Sequence, residues 1–404
     1  MLSCSICSKT FPESSAYYVC PDHPHVGNLD VIIPKPDNPI CDRPGMFRYL
    51  PMMPLCIDAQ IPEIPVGDTP LVNAPRIASQ LGLKSLYIKD DGRNPTGSLK
   101  DRASAFVCSK AVSQGISTIA AASTGNAGAA LAGIGASMGI KTIVFVPAAA
   151  PPAKLAQLVA FGSNVVTVDG TYDDAFRICD AACKEKKWYN RNTGYNPYTV
   201  EGKKTVSFEI AEQLGGGLGS GNFRAPDWVV VSVGDGNIIT GVAKGFKDLF
   251  EFGLIDKLPK LLAVNAAGSP WVYECISTNS DAATMGPVVC NTRADSVSAS
   301  LPADRFRAVR CVKETKGEVV LVPEADILSA IPELASKAGV FAEPAAALAY
   351  AGLKVGVSKG LIPGDAEVVV LSTGSGLKDV AAVQSVVTIP KPVPVDFSDF
   401  DSIV

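Results

Sequence analysis

Histidine is almost missing from this chain: its only two, His23 and His25, lie near the amino terminus. A histidine-based triad or a multi-histidine catalytic metal site in the main body is thereby excluded, and proton transfer there must use another group, with lysine the obvious one. Charge is sparse as well, at 19% of residues, with a net charge of −4 and no long basic block. Nucleic acid and anionic membrane surfaces are poor partners for such a chain, and a small-molecule enzyme fits better. Residues 111–140 contain no Asp, Glu, Lys or Arg. They do hold eight Ser, Thr, Asn or Gln residues and six glycines, so strand, turn and buried helix are expected there rather than a membrane span. The opening Met1-Leu-Ser-Cys-Ser-Ile-Cys7 lacks the basic-then-apolar layout of a signal peptide, and a cytoplasmic protein is expected.

What is present is a 404-residue, 47% hydrophobic chain, long enough for two or three domains. Short β-rich runs recur at Ser85–Lys89, Thr118–Ala122, Thr142–Val146, Asn164–Val168, Trp228–Ser232, Leu261–Val264 and Val368–Leu371, with helix-compatible stretches between them. Continuous apolar strands alternating with helices predict an α/β fold of parallel sheets covered on both faces.

Eleven cysteines in a cytosolic chain do not read as disulfides. Eight are scattered and read as small buried residues or idle thiols. The other three form Cys4-x2-Cys7-x12-Cys20-x2-His23, the spacing of a small zinc ribbon with four soft or borderline ligands. His25 is a possible substitute for His23. A closed site of this kind leaves no open position for water, which assigns it to folding rather than catalysis.

Four polar, glycine-bearing junctions interrupt the apolar pattern. They are Asn94-Pro-Thr-Gly-Ser-Leu-Lys-Asp-Arg102, Ser123-Thr-Gly-Asn-Ala-Gly128, Gly234-Asp-Gly-Asn-Ile-Ile-Thr-Gly241 and Ser372-Thr-Gly-Ser-Gly-Leu-Lys-Asp379. Alone, the first is an ordinary loop-to-helix junction with Lys100 at its end. The third follows a strand directly, and its small residues let backbone amides at a helix start face an anion, as in a phosphate cradle. Its G-x-G-x4-G spacing is not that of a dinucleotide fold, and the next strand ends at Asn265 without the ribose-binding acid. A bound phosphate together with an amine nucleophile points to pyridoxal phosphate, whose aldehyde condenses with lysine.

With Asn196-Pro-Tyr-Thr-Val-Glu-Gly-Lys-Lys-Thr205 and Phe341-Ala-Glu-Pro344 added, residues 64–385 resemble the threonine synthase family, pyridoxal phosphate enzymes of the tryptophan-synthase-β type. The resemblance implies that Lys100 is the Schiff-base lysine and general acid/base. It places Asn126 beside the cofactor ring, Gly234, Asp235, Gly236, Asn237 and Ile238 around its phosphate, and Thr373 at its pyridine nitrogen. Ser123, Thr124 and Gly125 would bind the substrate carboxylate, with Asn196 and Thr199 also on the substrate side. It further implies a homodimer acting on an amino-acid substrate. On this reading the chain divides into a zinc-ribbon-like segment (1–33), a proline-rich connector (34–66), a large cofactor-binding α/β domain (67–105 and 198–388), a small α/β domain (106–197) and a tail (389–404).

Two departures lie on the substrate side. Thr199 stands where the family usually has an arginine that grips the phosphate of O-phosphohomoserine, and a hydroxyl cannot supply arginine's bidentate charge-assisted bonds, which leaves Lys203, Lys204 or Arg191 to compensate. Residues Asp295–Arg305 replace the family's Ile-Arg-Ile-Gly-Asn-Pro-like segment. β-Elimination or β-replacement on serine, threonine or O-phosphoserine, with the same lysine and cofactor, is the alternative these departures leave open. A non-catalytic binding protein on the same fold is the third reading.

Overall fold

The computed structural model describes residues 1–15, 17–150, 152–390 and 392–396, so part of the tail beginning at residue 389 lies outside the described residues. The chain opens with a three-stranded antiparallel sheet in which β1 (Leu2–Cys4) pairs with both β2 (Thr10–Phe11) and β3 (Leu29–Val31). The body has two further sheets. The larger is built from β4 (Leu71–Asn73), β5 (Ser85–Asp90), β10 (Trp228–Ser232), β11 (Lys260–Ala266), β12 (Glu318–Val322) and β13 (Glu367–Ser372). Its order is β12-β11-β10-β13-β5-β4, parallel except for the β4 edge. The smaller comprises β6 (Thr118–Ala122), β7 (Lys141–Pro147), β8 (Asn164–Val168) and β9 (Tyr189–Asn190), all parallel in the order β8-β7-β6-β9.

All seven strands expected from the apolar runs are present. The physical reason is double-sided burial: along β10, Val229 and Val231 enter one core while Trp228 and Val230 enter another. Along β6, Ile119 and Ala121 join the first of these cores, whereas Ala120 and Ala122 face the helix Tyr172–Lys186 through Phe145, Cys179 and Cys183. One hydrophobic core therefore runs continuously between the two sheets, so their facing edges are held at fixed distance. The charge-free stretch resolves into β6 and the largely buried helix Asn126–Ser137. No helix among the described residues is long and apolar enough to cross a membrane.

The proline-rich stretch is anchored rather than loose. Its 3-10 helix Gly45–Met52 buries Met46, Phe47, Tyr49 and Leu50, and the Tyr49 hydroxyl donates to Glu212 Oε2 at 2.6 Å. Of the scattered cysteines, Cys108, Cys179, Cys183, Cys275 and Cys311 are buried and all are free thiols.

Beside β5 of the larger sheet lies a network of four fully buried charges. Arg102 contacts Asp91 through Nε at 2.6 Å and Nη2 at 2.9 Å, and Glu209 through Nη1 at 2.7 Å and Nη2 at 2.8 Å. Lys89 adds a 2.7 Å bond to Glu209 Oε2. Burial alone would raise the Glu209 carboxyl, yet Arg102 and Lys89 hold it well below the usual carboxylate range. Two cations and two anions cancel, so the network is stable only while complete. Arg102→Ala leaves Asp91 facing no cation and Glu209 with Lys89 alone, and urea unfolding is expected to show a loss of about 3–5 kcal/mol.

Candidate active site

β5, β13 and β10 are parallel neighbours, and the polar junctions leave from their carboxyl ends, where open α/β sheets place their ligands. After β5 the chain runs through Asn94–Leu99 into the helix Lys100–Ser113. That loop is zipped onto the segment after β13: Leu99 N–H donates to the Thr373 carbonyl at 2.9 Å, and Ser375 N–H to the Gly97 carbonyl at 3.0 Å. The reverse curve needs Gly97 at φ +86°, a conformation that disfavours side chains. Asp101 then accepts from Thr96 N–H at 2.7 Å and from the Thr96 hydroxyl at 2.5 Å, and Arg102 is clamped as above, so the two residues after Lys100 are both fixed.

Lys100 itself is half-buried and forms no ion pair among the described residues. Burial lowers its pKa against the opposing pull of the Asp235 and Glu343 carboxylates, with Arg191 adding to the depression. An amine so shifted is uncharged for a larger share of the time at neutral pH, as a nucleophile or base requires.

The junction after β10 turns tightly at Gly236 (φ +87°) and starts the helix Asn237–Glu251. A Cβ at Gly236 would lie 2.8 Å from the Asp304 carbonyl oxygen, and one at Gly234 would lie 2.6 Å from Val297 Cα. The Asp235 carboxylate accepts from Asn237 N–H at 2.9 Å, while the Asn237 side chain is held by Asp304 at 2.9 Å and by Lys203 at 2.5 Å. Lys203 is fully buried without a carboxylate partner among the described residues, and burial drives its pKa well below the ordinary value. Its neighbour Lys204 differs completely, with Glu201 and Asp248 each 2.7 Å away.

From the other sheet, β6 runs into Ser123, Thr124 and Gly125, all half-buried, and then into the helix beginning at Asn126. The free amides of that helix start, with the Ser123 and Thr124 hydroxyls, form a cradle suited to a carboxylate. Thr124, Gly125 and Asn126 line a cleft of 480 Å³ that continues past Asp295, Ser296, Glu343 and Lys378. Asn126 spans the cleft, its Nδ2 lying 2.9 and 3.0 Å from the two Glu343 carboxylate oxygens. Burial raises the Glu343 pKa. Asn196 and Thr199 are turned inward. Asn196 bonds the Asn190 carbonyl at 2.7 Å, and the Thr199 hydroxyl lies 2.7 Å from the Asn196 carbonyl and 3.2 Å from Asn237 Oδ1.

Lys100, half-buried, and Lys203 and Arg191, fully buried, thus act on one another as three cations with no ion pair of their own among the described residues, and Asp235 is the carboxylate nearest in effect to all three. The hydroxyl of Ser232, at the end of β10, is buried without a partner and that of Thr373 makes no hydrogen bond, both among the described residues. Surplus positive charge, idle hydroxyls and a glycine turn at a helix start are what a phosphate-bearing, polar-ringed cofactor would satisfy.

Sequence reasoning left Glu343 without a role, and offered Arg191, Lys203 and Lys204 together as cations that could replace the arginine absent at Thr199, without choosing among them. Glu343 stood inside a quoted motif; the three cations gave no signal beyond their charge. At the amino terminus, the ligand atoms of Cys4, Cys7, Cys20 and His23 all lie within 4.8 Å of one another, with the ring Nδ1 of His23 facing the sulfurs of Cys4 and Cys20.

Residues 63–374 match the family described as pyridoxal-phosphate dependent enzyme. The chain is 35% identical to the threonine synthase of Methanosarcina acetivorans, over 97% of this chain and 95% of that one. Against the threonine synthase of Methanocaldococcus jannaschii it is 34% identical, over 93% and 92%. Among solved structures it resembles in fold a pyridoxal 5'-phosphate-dependent aspartate racemase (TM-score 0.66, 21% identity, 78% of this chain and 92% of that one). Threonine deaminase isoform 2 from Solanum lycopersicum is similar to the same degree (TM-score 0.65, 21% identity, 88% and 98%).

The short helix Tyr198–Lys203 reaches the site only because Gly202 lets it touch the Lys100 helix: a Cβ there would lie 2.2 Å from the Arg102 carbonyl oxygen. Gly202→Ala is therefore expected to push the two helices apart, costing about 1–3 kcal/mol in denaturant unfolding.

Proposed function

This chain belongs to the pyridoxal-phosphate-dependent enzymes and, within them, to the threonine synthases; from that premise we propose that it converts O-phosphohomoserine and water into threonine and phosphate. What supports this reading is Lys100, a half-buried amine with a lowered pKa, on which act the carboxylates of Asp235, in the glycine turn after β10, and Glu343, bound by Asn126 at the helix start after β6. Pyridoxal phosphate, once bound, supplies an electron sink that acidifies the carbons next to the amino group.

The chain's own residues would do the rest. Gly234–Ile238 would hold the cofactor phosphate with backbone amides, helped by the charge of Lys203. Thr373 would meet the pyridine nitrogen with a hydroxyl rather than a carboxylate, leaving the ring largely neutral and favouring elimination at Cβ and Cγ. Asn126 would turn from Glu343 to the ring's phenolic oxygen. Ser123, Thr124 and Gly125 would fix the substrate carboxylate, and Lys100 would take protons from Cα and Cβ.

Lys100→Ala is expected to abolish turnover and the visible absorbance of the lysine-bound cofactor. A protein that keeps that band after the substitution would remove Lys100 from this role. Incubation with O-phosphohomoserine should yield phosphate and threonine in equal amounts, and serine should yield no keto acid. Phosphate without threonine, or keto acid from serine, would favour β-elimination instead.

The clustered Cys4, Cys7, Cys20 and His23 are proposed to hold a structural zinc, because three sulfurs and one imidazole nitrogen form a closed donor set. The bound ion would stiffen a segment that braces the body: Asn28 Nδ2 donates to the Gly194 carbonyl at 2.5 Å, and Asp30 pairs with Arg307 at 3.0 Å and Arg310 at 2.7 Å. Metal analysis of Cys4→Ser/Cys7→Ser should show loss of about one zinc per chain and a lower melting temperature. Unchanged zinc content would contradict the assignment.

A further inference from the structure

Arg191 is fully buried, yet no carboxylate comes within ion-pair distance of it among the described residues. Its Nε donates to Ser104 Oγ at 3.1 Å and its Nη1 to Thr193 Oγ1 at 2.7 Å, while Nη2 is buried with no partner. Burial draws its pKa down to about 10, which still leaves it charged at neutral pH. A buried cation without a counter-ion is costly unless a ligand brings the anion.

Its position says which ligand. Arg191 follows β9, and its N–H donates to the Ala120 carbonyl at 2.8 Å. The next side chain, Asn192, accepts from Ala122 N–H at 2.7 Å. Arg191 therefore stands beside β6, the strand that leads into Ser123 and Thr124, and its guanidinium reaches Ser104 on the Lys100 helix. Lys203, by contrast, is bound to Asn237 on the cofactor-phosphate side, and Lys204 is consumed by two carboxylates. Thr199 is neutral, and its hydroxyl is already engaged.

We propose that Arg191 is the anion anchor of the substrate pocket, its idle Nη2 binding the phosphate carried by the substrate and retained briefly as product. This deepens the proposed function and rests on the reading that the site releases phosphate from an amino-acid phosphoester. The guanidinium takes over, from a different strand end, the phosphate grip that Thr199 cannot provide. Its chemistry suits any phosphate-type oxyanion, including the cofactor's own, so the test separates the two sources.

Inorganic phosphate is titrated calorimetrically into the wild-type holoenzyme and into R191Q and R191K holoenzymes, and cofactor affinity is measured separately by visible absorbance. R191Q is expected to weaken phosphate binding by about tenfold or more, R191K by a smaller factor, with cofactor affinity retained in both. The KM for O-phosphohomoserine should rise in the same order. Phosphate affinity unchanged in R191Q, or cofactor affinity falling as far as phosphate affinity, would overturn the proposal. R191K keeps charge and bulk, and it carries the test if R191Q does not fold. Arg191-dependent phosphate binding in an enzyme that does not turn over O-phosphohomoserine would support the anchor while refuting the proposed reaction.

Discussion

The geometry of the site depends on the buried contact of Arg102 with Asp91 and Glu209. It joins the end of β5, the first turn of the Lys100 helix and the helix Thr205–Gly215, three segments spread over more than a hundred residues. A planar guanidinium with five donors can satisfy two carboxylates at once, and in doing so it sets both the distance and the orientation of the elements that carry them. Thr69 and Lys89 complete the network, so little polar capacity is left over. Lys100, two residues before Arg102, inherits its position from this clamp and from Asp101.

A second constraint is the imbalance of charge a few residues away. The Arg102 network is neutral, and so are the Arg307–Asp304 pair and the group of Lys204 and Lys244 with Glu201 and Asp248, each cation facing at least one carboxylate. Lys100, Lys203 and Arg191 have no such neighbours among the described residues, and Asp235 answers only part of their charge. Low local polarisability makes this surplus costly in the empty protein and favourable once anions arrive. The protein thus concentrates positive potential where a cofactor phosphate and a phosphorylated substrate would meet, while Arg102, Lys89, Lys204 and Arg307 each face a carboxylate.

The fold was legible where strands are buried on both faces, because Val229–Val231 and Val368–Leu371 read as unbroken apolar runs. It was not legible at β4, which is half-exposed at the edge, or at β9, whose two residues, Tyr189 and Asn190, are too short to show a period. β12 begins with a charged residue and alternates in burial, which blurs its outline. In the site, Lys100, Asn126, Gly234–Ile238 and Thr373 announced themselves by turn chemistry at strand ends. Arg191 stood only as one of three cations that could replace the absent arginine and Glu343 not at all, since the one is set apart by a missing partner among the described residues and the other by Asn126, more than two hundred residues earlier.

By itself, then, the sequence determined the type of fold, the lysine and its glycine-turn cradle, and the cysteine spacing at the amino terminus, because each is a local pattern with a local physical cause. The tertiary structure alone decided which cations are free. Lys203 and Lys204 are adjacent and chemically identical, but successive residues on a helix point about 100° apart. One side chain therefore meets Glu201 and Asp248, and the other meets only the amide of Asn237. Whether a buried charge is neutralised or left to receive a ligand depends on what distant segments place opposite it, and only folding brings those segments together.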